Sequence, residues 1–338
     1  MKIKYYYHLK LVSLFLLTGT LASCGVETNT TSNVAPPTTT QAARILTQAT
    51  FGPTIDQINR VQTIGAGAWF NSQFSKPQTK HSDYVIQALS ELPAGTRLDD
   101  STFIQSFWQR AISADDQLRQ RVTFALSQIF VVSFQNDNLD EMPRGMANYY
   151  DMLGAHAFGN FRNLLEDVTK NPMMGIYLSS LRNQGSGGTA RVPDENYARE
   201  IMQLFTIGLK QLNQDGTDTT SPATPTYTND DIKGLAKVFT GWSWGGPDKS
   251  NNRFNASITE TRTTMVDPNR DRLPMQLYPA FHETLQKDFL GVTIAADTPG
   301  EPSLKLALDT LFNHPNVGPF IGRQLIQRLV TSNPTNHL

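Results

Sequence analysis

The stretch Pro193-Asp-Glu-Asn-Tyr-Ala-Arg-Glu-Ile-Met-Gln-Leu-Phe-Thr-Ile-Gly208 decides the fold class. At 100° per residue, Tyr197, Ala198, Ile201, Met202, Leu204 and Phe205 share one face, while Glu195, Asn196, Arg199, Glu200 and Gln203 share the other. That is an amphipathic helix with a broad apolar stripe. Pro193 suits a first turn and Gly208 suits a stop, so the pattern predicts a helix from about 193 to 207.

Outward from this segment the same period recurs. Thr54-Ile-Asp-Gln57 reads as a capping box opening a helix over 54–63. Phe103, Phe107 and Trp108 mark a helix near 101–113, and Leu118, Val122, Leu126 and Ile129 mark one over 115–131. Met146, Tyr149, Tyr150 and Leu153 belong to another. Asn160 is placed to cap a helix carrying Phe161, Leu164, Leu165 and Val168. Thr228-Asn-Asp-Asp231 starts a helix through Phe239, and His314-Pro315 divides helices over 302–313 and 317–331. Two stretches depart from this rhythm. Residues 211–226 form a polar loop, and residues 243–284 admit at most a short hairpin near 252–266. The expected fold is mainly α, an irregular multi-helix domain with long loop excursions over 41–338.

The N-terminus carries a separate message. Lys2, Lys4 and Lys10 precede an apolar stretch from Leu11 to Leu21, and Leu21-Ala-Ser-Cys24 follows. An apolar run this short is a secretory signal rather than a membrane span. The lone cysteine after two small residues marks residues 1–23 as a lipoprotein signal peptide and Cys24 as the lipid acceptor. The location expected is the bacterial cell envelope, with the membrane engaged through the N-terminal lipid. Gly25, where an Asp would signal inner-membrane retention, points to the outer membrane. Residues 24–40 are rich in Thr, Asn and Pro, too polar to build a core, and read as a lipidated tether. Loss of residues 1–23 removes three lysines and no acids, leaving 26 basic against 30 acidic residues, about −4. A mildly acidic chain lacks the basic face that nucleic acid requires. Acylation of Cys24 leaves no thiol for a disulfide or a thiolate metal site.

Several ordered blocks resemble one family. Pro193–Gly208 looks like the signature P-N-E-N-Y-A-R-E-x-x-E-L-F-x-L-G of the bacterial domain of unknown function 1800 family. Arg44–Pro53, Trp69–Phe74, His156–Leu165, Asn171–Leu178, Tyr227–Trp242 and His282–Gly291 resemble further blocks of that family in the same order. Asp194 stands where the family has Asn, Gln203 where it has an acid, and Glu283 where it has Asp. The loop 211–226 is longer than is usual. The family domain continues beyond the position of Leu338, so the chain is expected to be C-terminally incomplete. The resemblance implies an exported bacterial protein and, as a partner, a protein of the exported unknown-function 1501 family. It brings no reaction with it.

Two functions fit these residues. In the first, the chain is a binding or assembly module, and Asn196, Arg199, His156 and Lys287 belong to a structural or binding polar cluster. In the second it is a hydrolase of envelope or extracellular polymer, with Glu195, Glu200 and His282 as acid/base groups or donors to a divalent metal. Glu195 and Glu200 lie about 140° apart around a helix, which separates rather than pairs them. His282-Glu-Thr-Leu lacks the second histidine of a zinc-protease motif. The sequence assigns neither metal nor cofactor, and no phosphate-binding or dinucleotide fingerprint occurs in it. Asn213-Gln-Asp-Gly216 is read as a turn rather than a calcium loop, and Trp242, Trp244 and Phe254 as core rather than a sugar platform.

Overall fold

The computed structural model describes residues 35–93, 96, 98–258 and 269–334. Cys24 and the signal segment lie outside them. The first six helices are α1 (Thr39–Ala49), α2 (Ile55–Ile64), α3 (Ala66–Phe74), α4 (His81–Glu91), α5 (Asp100–Ser113) and α6 (Gln117–Ser127). They are followed by α7 (Pro143–Ala155), α8 (Phe161–Lys170), α9 (Pro172–Tyr177), α10 (Asn196–Gln203) and α11 (Asn229–Val238). The last three are α12 (Asn251–Phe254), α13 (Gly300–Phe312) and α14 (Val317–Leu329). Strand content is small. Strands β1 (Trp242–Ser243) and β2 (Gln276–Leu277) pair antiparallel, as do β3 (Lys287–Phe289) and β4 (Val292–Ile294). The protein is mainly α, as its helical periodicity predicts.

Helix starts follow the caps written in the sequence. The Thr54 hydroxyl accepts from the Gln57 amide, Asn160 accepts from the amides of Arg162 and Asn163, and Thr228 and Asp231 form a reciprocal capping box. α4 is different. Its N-cap, Lys80, supplies no side-chain bond, and the Asp151 carboxylate of α7 accepts from the amides of His81 (2.7 Å) and Ser82 (3.0 Å) instead.

Three expectations need correction. α1 begins at Thr39, capped by a Thr38–Gln41 box, so the tether reading loses its last residues to the domain. α10 starts at Asn196, not Pro193, and ends at Gln203, with a turn running to Gly208. The hairpin near 252–266 is not found where it is described: Asn251–Phe254 is helical, and 259–268 lie outside the described residues. The real hairpin, β3–β4, turns through Leu290 and Gly291, both at positive φ.

Two apolar cores result. A small one joins Ala42 and Leu46 of α1, Ile58 and Val61 of α2, Trp69 of α3 and Leu118 of α6. A much larger one is built from α7, α8, α9, α10, α11 and α13, with Tyr197, Ile201, Met202 and Phe205 of α10 inside it. Helix α11 lies directly on β3. A Cβ built on Gly234 would fall inside the Asp288 carbonyl oxygen, so only glycine permits this approach. Trp242, Trp244 and Phe254 are buried in the protein interior. Asn213–Gly216 forms a turn, closed by the Gly216 amide on the Asn213 carbonyl (2.9 Å). Among the described residues no helix is long and apolar enough to cross a membrane.

Candidate functional site

The polar face of α10 is half-buried and internally paired. Arg199 donates to the Glu195 carboxylate at 3.4 Å, across one helical turn. Burial pushes the Glu200 carboxyl above its ordinary range, and the Arg199 guanidinium opposes that shift. Tyr227, at the start of the next helix, donates to the Gln203 amide oxygen at 3.3 Å. Burial raises its phenol, with Arg199 pulling the other way and Glu200 reinforcing it. Asn196 is exposed, and its amide donates to the Asp194 carboxylate at 2.8 Å. Beyond the polar row, Leu204 and Leu209 are 42% and 58% exposed.

A second polar group lies deeper, where the 240s meet the 280s. Gly241 (φ +81°) sits so close to His282 that a Cβ there would lie 2.8 Å from the His282 nitrogen. This approach brings the His282 ring Nδ1 to 2.9 Å from the Thr240 carbonyl, so Nδ1 carries the proton. Its Nε2 is buried and has no hydrogen-bond partner among the described residues. Burial lowers the imidazole pKa, opposed by the Thr240 carbonyl, so the ring is neutral at pH 7. Glu283 is buried too. Burial pushes its carboxyl up, but the donors around it, led by the amides of Ser186 (2.8 Å) and Leu285 (3.0 Å), outweigh this and hold it below the usual range. The Lys287 side chain is fully buried and donates to the Leu285 carbonyl at 3.2 Å. Burial lowers its ammonium pKa, and the Glu283 charge opposes this.

Asn183 ties the two groups together. Its side chain donates to the Asp194 carbonyl (3.0 Å) and accepts from the Asp194 amide (2.9 Å), while its own carbonyl accepts from the Gly241 amide (2.8 Å). The segment before α10 and the turn under His282 are therefore clamped to one residue. Nothing in the periodic pattern marks Asn183, Thr240 or Ser186, and only the glycines around them signal a tight approach.

The residues picked out in the sequence separate accordingly. Arg199 and Glu200 lie on α10, and Glu195, its N-cap, pairs with Arg199. His282 and Lys287 share the deeper network with Glu283. No bond joins the α10 carboxylates to His282 among the described residues, and His156 is elsewhere, its Nε2 2.6 Å from the Asp167 carboxylate. Among the described residues no three His, Cys, Asp or Glu side chains converge as a metal site would require. The family described as "Protein of unknown function (DUF1800)" matches residues 44–338. The chain belongs to this family. No curated protein and no solved structure matches it. In this DUF1800 chain, α10 turns its apolar side into the main core and its polar side into a paired row at the surface.

Proposed function

We propose that this DUF1800 protein is a binding or assembly module of the bacterial envelope, held to the outer membrane by a lipid on Cys24. The partner is an exported protein of the unknown-function 1501 type. The observation that carries this reading is the α10 surface. Arg199, Glu200, Gln203 and Tyr227 form a half-buried polar row beside exposed Leu204 and Leu209. Arginine and tyrosine next to exposed leucines are the composition of an interface, where an apolar anchor is ringed by polar groups. The hydrolase alternative needs Glu195 or Glu200 beside His282, and these carboxylates engage Arg199 instead.

The test is capture of a co-expressed 1501-family protein by the lipidated chain. The wild type is expected to retain it, and Leu209→Asp and Arg199→Glu each to weaken retention at least about tenfold. Equal capture by all three proteins would remove the α10 surface from the interaction. Absence of any complex would remove the partner.

A further inference from the structure

Two of the most exposed apolar side chains of the N-terminal half, Trp108 and Ile112, border one pocket. Ile104, Trp108 and Ile112 are spaced by four on α5 and so share a face. Trp108 is 60% exposed and Ile112 is 81% exposed. Both border a pocket of about 460 Å³, whose walls also include Thr54, Gln57, Arg60 and Lys76. Ile55, next to Thr54 at the start of α2, is 71% exposed. The pocket is therefore mixed. Its cations are Arg60 and Lys76, and its acid is Asp115, which pairs with Lys76 at 3.5 Å. Arg60 is exposed and has no ion-pair or hydrogen-bond partner among the described residues.

We infer that this face seats on an anionic phospholipid bilayer, with Ile55, Trp108 and Ile112 entering the headgroup boundary and Arg60 meeting a lipid phosphate. The inference rests on the Cys24 anchor of the preceding section. Three observations favour a bilayer over other occupants. An exposed tryptophan flanked by exposed isoleucines and a free guanidinium is the composition of a membrane-interface anchor. The pocket has one more cation than acid, the sign that attracts anionic lipid. Placement agrees as well. Thirteen residues lie between Cys24 and Thr38, which limits the distance from the lipid to the start of the domain to roughly 50 Å at most. Helix α1 then spans about 16 Å to Thr50 and Phe51, which form part of the pocket wall. A lipid on Cys24 thus holds the face at the membrane, and one acyl-bearing residue is supplemented by a second, protein-borne contact.

The protein supplies its own probe. Of its four tryptophans, Trp69, Trp242 and Trp244 are buried and Trp108 is exposed. The full lipidated chain, reconstituted in vesicles of brominated phosphatidylglycerol, is expected to lose the Trp108 share of its emission relative to unbrominated vesicles. Trp108→Phe should abolish that quenching, and its exposed site leaves folding, checked by circular dichroism, intact. Arg60→Gln should weaken quenching about fivefold on phosphatidylglycerol and leave brominated phosphatidylcholine unchanged. Flotation of the vesicles scores the anchor separately, and failure to float counts against Cys24 acylation alone. Absence of bromolipid quenching overturns the seat whether or not the chain floats. So does a Trp108 shielded from aqueous iodide by an envelope protein yet untouched by bromolipid, which would assign the face to a protein partner.

Discussion

The two cores of this protein differ in kind as well as in size. The C-terminal core closes around α10 almost entirely with apolar side chains, Tyr197, Met202, Phe205, Leu235 and Leu308 among them. The N-terminal helices bury a thinner apolar layer, and beside it they bury polar groups. His81 contacts the Ser106 hydroxyl through Nδ1 (3.0 Å) and the Gln120 amide oxygen through Nε2 (3.1 Å), all three side chains being buried. Area removed from water is insensitive to pH, whereas a buried titratable network is not. The apolar C-terminal core should therefore respond to packing, while acid should act through the buried networks beside the cores, around His81 in the N-terminal helices and around His282, Glu283 and Lys287 in the C-terminal half.

The sharpest way to break the C-terminal half is Gly234→Val. The new side chain must displace the β3 backbone, at an expected cost of about 5 kcal/mol or outright failure to fold, read by denaturant unfolding. A cost near 1 kcal/mol would mean that α11 and β3 can separate freely. In the thinner core, Trp69→Ala should cost about 4 kcal/mol. Because that core has few other members, a two-step melting curve is expected, with α1 to α3 lost first. A single cooperative transition would show that the two cores unfold as one.

Acid gives the smallest of the three effects. Burial holds the His81 pKa at about 4, opposed by the Gln120 bond, against an ordinary value of 6.5. The unfolded chain thus takes up a proton that the folded chain refuses. The contribution of neutral His81 is complete above pH 6.5 and declines as pH falls toward 4, by up to about 3 kcal/mol. Burial also raises the Asp151 carboxyl, which offsets part of the loss at the acid end. His81→Gln should make the stability profile shallower between pH 6.5 and 4, leaving the slopes contributed by His282 and His314, whose pKa values burial also lowers. An unchanged slope would place the acid-sensitive group elsewhere.

Much of this architecture is legible in the sequence where one local signal coincides with the period. Helices α2, α8 and α11 begin where their Thr or Asn caps predict. The start of α10 is misread because Pro193 satisfies the rule for a first turn, while a tertiary clamp overrides it: Asn183 holds the Asp194 amide and carbonyl out of helical bonding. The strands are two or three residues long, too short for an alternating pattern to appear, and β1 meets β2 across more than thirty residues. His282 and Lys287 are visible as residue types, but their surroundings come from Thr240, Ser186 and Glu283, which only the folded chain assembles.

The borrowed cap on α4 has a consequence for local motion. The first amides of that helix are held by a carboxylate seventy residues away, on α7. Fraying of α4 alone cannot expose the His81 and Ser82 amides to solvent deuterium without first parting from Asp151. Their exchange rates therefore report the undocking of α4 from α7, and a slow-exchanging pair at the very first turn of a helix, where protection is ordinarily weakest, is the expected signature.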